Sequence, residues 1–481
     1  MGVIKRQTIR GSIYSYLGVI VGFFTLLYII PKVLSTEQIG LTAILVAVSA
    51  LYSQFSTLGF TNVIARMFPY FRDKDKNHNG FVFITLAVGM IGFAISLISF
   101  FILKPWIVES NQEKSPLLVE YIWYLVPLIF FRMFFLLLDT YNKMLFDATT
   151  GTFLSDLFQR IGNLCLLIAI YFNWINFPQY IFGYVLTLCF PAVYLAGLLM
   201  YRKQFNIQPK LDFIQAPLRK EMITLSVFGL LSGLSAVALK QIDTILLLGY
   251  YNLSLTGIYN ISFYFGNIIL IPGIAIGKIS STIIADAWKD KDMDTIQDIY
   301  YKSSINQLFA ALLLFILMVT NLHNIFKILP PEYSGGEWVI VLIALSNLIV
   351  ASTGVSVQII GTSHKFKIQT YSMAVLVVLS VILYLIFIPI WGMVGAALVS
   401  LLSVSASSLL RVFYLQQNMK LYPYRLTHLK CVAAGLVAFA VGKIIPGCAH
   451  WVGLLSAVAV MGFCYLVVQR IWASKTAHRL G

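Results

Sequence analysis

The chain carries fourteen apolar runs between Gly11 and Arg470, each close to the roughly 20 residues that an α-helix needs to cross a bilayer core of about 30 Å. Their approximate limits are 11–30, 38–60, 81–103, 117–138, 154–173, 178–200, 222–243, 254–277, 304–325, 338–360, 368–388, 391–411, 431–446 and 450–470. Inside a bilayer every backbone N–H and C=O must find a partner within the protein, which leaves helices or closed barrels. These runs are continuously apolar, whereas barrel strands alternate apolar and polar residues over about ten positions. The expectation is an all-α polytopic membrane protein. With 59% hydrophobic and only 11% charged residues, and a mean hydropathy of +0.85, an ordinary soluble domain is excluded.

Charge placement then orients the chain. If the N-terminus is cytoplasmic, 26 of the 34 basic residues fall on the cytoplasmic side, and five, Lys32, Lys104, Lys114, Lys327 and Lys443, fall opposite. Arg132, Arg160 and Lys240 lie within or at the edges of spans. This split satisfies the positive-inside rule and favours an even number of spans with both termini in the cytoplasm. The net charge of +15 reflects a basic face beside anionic lipid and calls for no nucleic-acid partner. A basic N-terminal segment before a 20-residue run, without a small-residue cleavage pattern, predicts an uncleaved first helix. The five cysteines are odd in number and lack CxxC or Cys/His spacing, so neither a disulfide framework nor a metal site is implied.

An internal repeat organises the spans. A gapless shift of 217 residues takes Gly40 onto Gly257, Asp73-Lys74-Asp75 onto Asp290-Lys291-Asp292, and Trp174 onto Trp391. Spans 1–6 thus correspond to 7–12 in the same orientation. The predicted organisation is a six-helix bundle over 1–221, a pseudo-symmetric second bundle over 222–430, and two additional helices with a tail over 431–481. A central cleft between the bundles is the expected place for a substrate.

Charged side chains inside membrane spans are costly and mark functional candidates. Arg132 and Asp139, seven apart, are expected on one face of the fourth span, and nothing within one turn of Arg132 neutralises it. Asp156 and Arg160, four apart in the fifth, have the spacing of a local ion pair. Lys240 and Asp243 are three apart late in the seventh. Fixed positive charge in a membrane cleft suits a phosphate or carboxylate, and guanidinium suits bidentate phosphate contact. The three aspartates are candidates for Na⁺ or proton coupling, or for holding the bases in place.

Three stretches carry a family resemblance. "PKVLSTEQIGLTAILVAVSALYSQFSTLGFTNVIARMFPYF", Pro31 to Phe71, resembles the first-to-second helix region of Wzx-type bacterial polysaccharide flippases, of the multidrug/oligosaccharidyl-lipid/polysaccharide exporter superfamily. "LTGIYNISFYFGNI", Leu255 to Ile268, is similar to its second-half counterpart, and "IPIWGMVGAALVSLLS", Ile388 to Ser403, resembles that family's P-x-x-G-x-x-G-A-A helix start. The resemblance implies transport of an undecaprenyl-pyrophosphate-linked oligosaccharide from the inner to the outer leaflet of the bacterial cytoplasmic membrane, for surface polysaccharide such as O-antigen or capsule. It implies no enzymatic step and no cofactor beyond a coupling ion. Arg66, closing "LGFTNVIAR", matches an arginine common at that place in the family, and Arg10 is a basic residue at the mouth of the first helix, as relatives often have. Both also fit the role of positive-inside anchors. The expected partners are a lipid-linked anionic oligosaccharide, membrane lipid and other polysaccharide-assembly proteins, with a single chain sufficient for function. Three alternatives stand beside this reading: a cation-coupled multidrug exporter of the same superfamily, a peptidoglycan lipid-precursor flippase, and a membrane glycan polymerase or ligase. The last is disfavoured, because Glu109, Glu113 and Glu332 in the longest outer loops form no acid, base and nucleophile set.

Overall fold

Two sequence signals show why helices begin where they do. Ser35 accepts from the Gln38 backbone N–H at 3.3 Å while the Gln38 side chain accepts from the Ser35 N–H at 3.0 Å. Asn176 and Gln179 make the same reciprocal pair at 3.1 and 3.0 Å. Each capping box satisfies two backbone donors that a helix start otherwise leaves open.

The computed structural model describes residues 2–73, 77–209, 215–363 and 366–444. Its principal helices are α1 (Gly2–Phe24), α2 (Thr36–Ser56), α3 (Phe60–Phe71), α4 (Phe81–Asn111), α5 (Leu125–Met144), α6 (Gln159–Tyr171), α7 (Phe177–Tyr201), α8 (Ala216–Tyr250), α9 (Leu253–Asn267), α10 (Ile271–Asp290), α11 (Met293–Thr320), α12 (Glu337–Ser352), α13 (Ser356–Thr362), α14 (Phe366–Met419) and α15 (Leu426–Ile444). No strand occurs among the described residues. Among them, eleven helical segments are long and apolar enough to cross a membrane.

The difference from the fourteen expected runs has one local cause and otherwise follows from which residues are described. The eleventh and twelfth fall within the 54-residue α14. A straight helix of that length would reach about 80 Å, well beyond a bilayer core. It is broken at Gly392, whose φ of 57° and ψ of −133° lie in a region that glycine enters freely. Gly395 then passes so close to the preceding limb that a Cβ there would sit 2.2 Å from the Phe387 carbonyl oxygen. The P-x-x-G-x-x-G stretch is therefore a fold-back. The thirteenth run begins earlier than expected, as α15, and its last residues lie outside the described residues. The fourteenth lies outside the described residues.

The chain divides into two compact units, Met1–Ile261 and Ser262–Gly481. In the first, the short amphipathic α3 supplies Phe60, Val63, Ile64, Met67, Phe68 and Phe71 to a core shared with Phe81 of α4 and Met133, Leu137 and Tyr141 of α5. Phe68 is the hub, with ring centroids 5.5 Å from Phe81 and 5.1 Å from Tyr141, distances at which edge-to-face aromatic pairs add to burial. α8 packs along α2 and α3, so this unit extends past the predicted repeat boundary at 221. In the second unit, α10, α11, α13 and the C-terminal limb of α14 close around Ile284, Ile296, Tyr300, Ile359 and Leu415. Asn347 of α12 donates to the Gly266 carbonyl at 3.0 Å and the Asn267 side chain at 2.9 Å.

Candidate functional site

The charges that the sequence singles out inside spans are all resolved in the first unit, and their partners differ from the expected ones. Arg132 leaves α5 toward α2, where Nη1 donates to the Val46 carbonyl at 3.4 Å. Tyr184 of α7 lies within its electrostatic reach. No carboxylate pairs with Arg132 among the described residues. Asp139, expected on its face, is buried and pairs instead with Lys143 one turn further on. The other oxygen of Asp139, Oδ1, is buried without a hydrogen-bond partner and faces Gly151, where a Cβ would overlap it.

The expected Asp156–Arg160 ion pair does not form. Residues Phe153–Phe158 make a π-helical turn, and the extra residue per turn spoils the stacking that four-residue spacing gives on an α-helix. Both side chains turn to α1. Asp156 Oδ2 accepts from Ser15 Oγ at 2.6 Å, and Oδ1 from Ser155 Oγ at 2.9 Å. Arg160 Nη1 donates to the Gly18 carbonyl at 2.6 Å. A Cβ on Gly22 would come 2.7 Å from that same nitrogen, and one on Gly18 would come 2.0 Å from the Asp156 carbonyl oxygen. The small residues on one face of α1 thus admit the helix that carries both charges.

Lys240 and Asp243 do not pair either. Lys240 is exposed on α8, whereas Asp243 is 3% exposed. Asp243 Oδ2 accepts from the Tyr259 hydroxyl at 2.6 Å, and Oδ1 accepts from the Thr244 backbone N–H at 2.7 Å and from Thr244 Oγ1 at 3.3 Å. A carboxylate is therefore held in the interior by neutral donors alone. Arg66, on the polar face of α3, and Arg10, near the start of α1, are both exposed.

Two arrangements escaped the sequence reading. One is the pair of Arg202 with Asp147 at 2.8 Å, where Asp147 also accepts from Thr150 Oγ1 at 2.8 Å. Burial alone would push the Asp147 carboxyl up, but the bonds from Thr150 and Arg202 outweigh it and hold the group below the usual carboxylate range. A depressed folded value stabilises the protein above the unfolded value of about 3.9 and is lost as pH falls through the folded one. Wild type is therefore expected to melt above Asp147→Asn at pH 6, with the gap shrinking on acidification below about pH 4. A gap independent of pH between 6 and 3 would refute this.

The other is a reciprocal approach of the repeat-matched glycines. A Cβ on Gly40 would lie 1.9 Å from the Leu253 carbonyl oxygen, and one on Gly257 would lie 2.0 Å from the Thr36 carbonyl oxygen. Positions 36 and 253, like 40 and 257, differ by 217. Thr36 Oγ1 and Ser254 Oγ complete the contact at 2.7 Å.

No family model matches the chain, and no curated protein matches it. Among solved structures it is similar to the lipid II flippase MurJ in an inward closed conformation, with a TM-score of 0.75 at 11% identity over 97% of this chain and 100% of that one. It is also similar to an inward-facing MATE-family multidrug transporter of the MOP superfamily, with a TM-score of 0.61 at 13% identity over 90% and 100%. A point mutant of the Vibrio cholerae MATE transporter VcmN gives 0.54 at 12% over 87% and 98%. At these identities the likeness is one of fold: this is a multi-pass helical membrane protein built like these transporters.

Proposed function

We propose that the protein moves an undecaprenyl-pyrophosphate-linked oligosaccharide from the inner to the outer leaflet of the bacterial cytoplasmic membrane, for surface polysaccharide assembly. The observation that carries this reading is Arg132, a guanidinium within a membrane span with no carboxylate partner among the described residues. A pyrophosphate would supply the missing charge, with the polyprenyl tail left in lipid. Arg160, Arg10, Arg66 and Lys240 would lend further positive charge along the path, and no bond is made or broken. Both termini are assigned to the cytoplasm, and one chain is taken as the working unit.

The cycle would be alternating access of two related bundles, 1–221 and 222–430. Supporting the duplication are the reciprocal glycine contact and a second matched detail: Lys203 and Lys420, again 217 apart, both take a φ of 56°, each just past a helix end. Asp243 is the first candidate for coupling to Na⁺ or H⁺, ahead of Asp139, which pairs with Lys143, and of Asp156, which is only half-buried, because it is fully buried with neutral partners. Asp243→Asn is expected to stay folded, since its amide oxygen can accept from the Thr244 N–H while its NH2 donates to the Tyr259 hydroxyl, and to make transport insensitive to an imposed ion gradient. Retained gradient dependence would remove Asp243 from this role.

A second reading, flipping of a peptidoglycan lipid precursor, is favoured by the fold likeness to a lipid II flippase. Both readings predict leaflet transfer of a pyrophosphate-linked glycan lipid in proteoliposomes, and offering each lipid separately tells them apart. Transfer of neither lipid, with export of a cationic dye, would replace both by a multidrug exporter.

A further inference from the structure

Arg411 belongs to none of the charges discussed so far. The sequence places it at the mouth of a cytoplasmic loop, but it stands on the C-terminal limb of α14 in the second unit. Its Nη1 and Nη2 donate to Ser407 Oγ at 2.7 Å and Ser408 Oγ at 2.8 Å on the same helix. Its Nε is buried without an acceptor, and no carboxylate pairs with it among the described residues. Tyr300 of α11 is 0% exposed, lies within electrostatic reach of the guanidinium, and has a hydroxyl without a partner. Tyr414, one helical turn beyond Arg411, packs against the same core, and its hydroxyl is likewise buried and unpartnered. Buried donors are nearly always satisfied, and an uncompensated interior cation is costlier still. Here the Nε of a permanent cation is buried without an acceptor, and two tyrosines that share one core have hydroxyls likewise buried without a partner.

We propose that Arg411, Tyr300 and Tyr414 form an oxyanion site that takes a phosphate group. A guanidinium with flanking hydroxyls suits the several acceptor oxygens of phosphate better than a single-atom anion, because a planar fork engages two oxygens at once. Arg411 is half-buried and gives the way in. Leu410 and Phe413, 65% and 59% exposed on the adjoining face, offer a bed for acyl chains if the phosphate belongs to a lipid headgroup. A free phosphate would leave that face to bulk lipid.

The test uses the delipidated full-length protein in nonionic detergent, titrated at fixed ionic strength with phosphatidylglycerol and, separately, with inorganic phosphate. Native mass spectrometry reads the bound lipid, and a shift in thermal midpoint reads both ligands. The expected result is one saturable site, weakened at least tenfold by Arg411→Gln and about tenfold by Tyr300→Phe, a factor that corresponds to roughly 1.4 kcal/mol. Tyr300→Phe and Tyr414→Phe keep the ring and hence the core, so they decide the matter even if Arg411→Gln does not fold. Saturation by the lipid alone identifies a headgroup site, and saturation by both identifies recognition of phosphate itself. No saturable binding of either to wild type, or equal binding to wild type and the tyrosine variants, overturns the proposal. The readout is binding, so a protein that flips no lipid but binds phosphate here leaves this inference standing.

Discussion

Arg132→Met is expected to melt above wild type and to move no lipid-linked glycan. Methionine fills much of the volume of the arginine stem without its charge. Replacing interior charge by apolar side chains of similar volume is often neutral or stabilising by about 1–4 kcal/mol. Arg132 is a strong case, because its one hydrogen bond to a main-chain acceptor is the long contact to Val46, at 3.4 Å. Transport is expected to fall at least about 100-fold, since a hydrogen bond to a charged group is worth roughly 1.5–3 kcal/mol and a pyrophosphate would take two. Arg132→Lys keeps the charge and loses the fork, so an intermediate rate is expected, roughly tenfold down. Thermal unfolding in detergent and initial transfer rates in proteoliposomes give the two readouts. Wild-type transfer by Arg132→Met would dismiss the cationic path, and a variant both inactive and less stable would make Arg132 a packing residue.

What the sequence discloses about this fold is what the bilayer imposes locally. A span must be long, apolar and internally hydrogen-bonded, so each one can be read from its own residues. The fold-back at Gly392 is legible for the same reason, because Pro389, Gly392 and Gly395 are chain-local signals. Partner choice is not local. Spacing of four residues predicts Asp156 against Arg160, but the π-helical turn at Phe153–Phe158 leaves no mark in composition, and both charges go to α1. Asp139 with Lys143 does obey that spacing, and it is missed only because Lys143 reads as a loop residue. Asp243 finds Tyr259 sixteen residues away, across a helix boundary, in preference to Lys240 one turn back. Arg411 reads as an interfacial anchor because hydropathy ends the run there, while the helix continues to Met419.

Gly40→Ala is expected to cost about 3 kcal/mol of stability, and Gly257→Ala about as much, yet the double variant should cost far less than their sum. The atoms nearest an added Cβ on Gly40 are the backbone oxygen, carbonyl carbon and Cα of Leu253, at 1.9, 2.7 and 3.0 Å. None of these can rotate aside as a side chain would. On Gly257 the nearest are Thr36 O at 2.0 Å, Gly40 N at 3.0 Å and Thr36 C at 3.0 Å. Overpacking of this kind usually costs about 1–3 kcal/mol, and rigid neighbours put these sites at the upper end. Either alanine must push the start of α2 away from the start of α9, breaking the Thr36–Ser254 hydrogen bond as it does so. Once that gap has opened, the second methyl enters space already made, so the coupling between the two substitutions should be strongly favourable. Unfolding of the wild type, both single variants and the double variant closes the cycle. Additive losses would mean that the two glycines relieve separate clashes, and the reciprocal contact would then not act as one joint. Under the alternating-access reading, this joint would be closed with backbone on backbone in one state and parted in the other. The alanine variants would therefore favour the parted state and slow transport without touching Arg132.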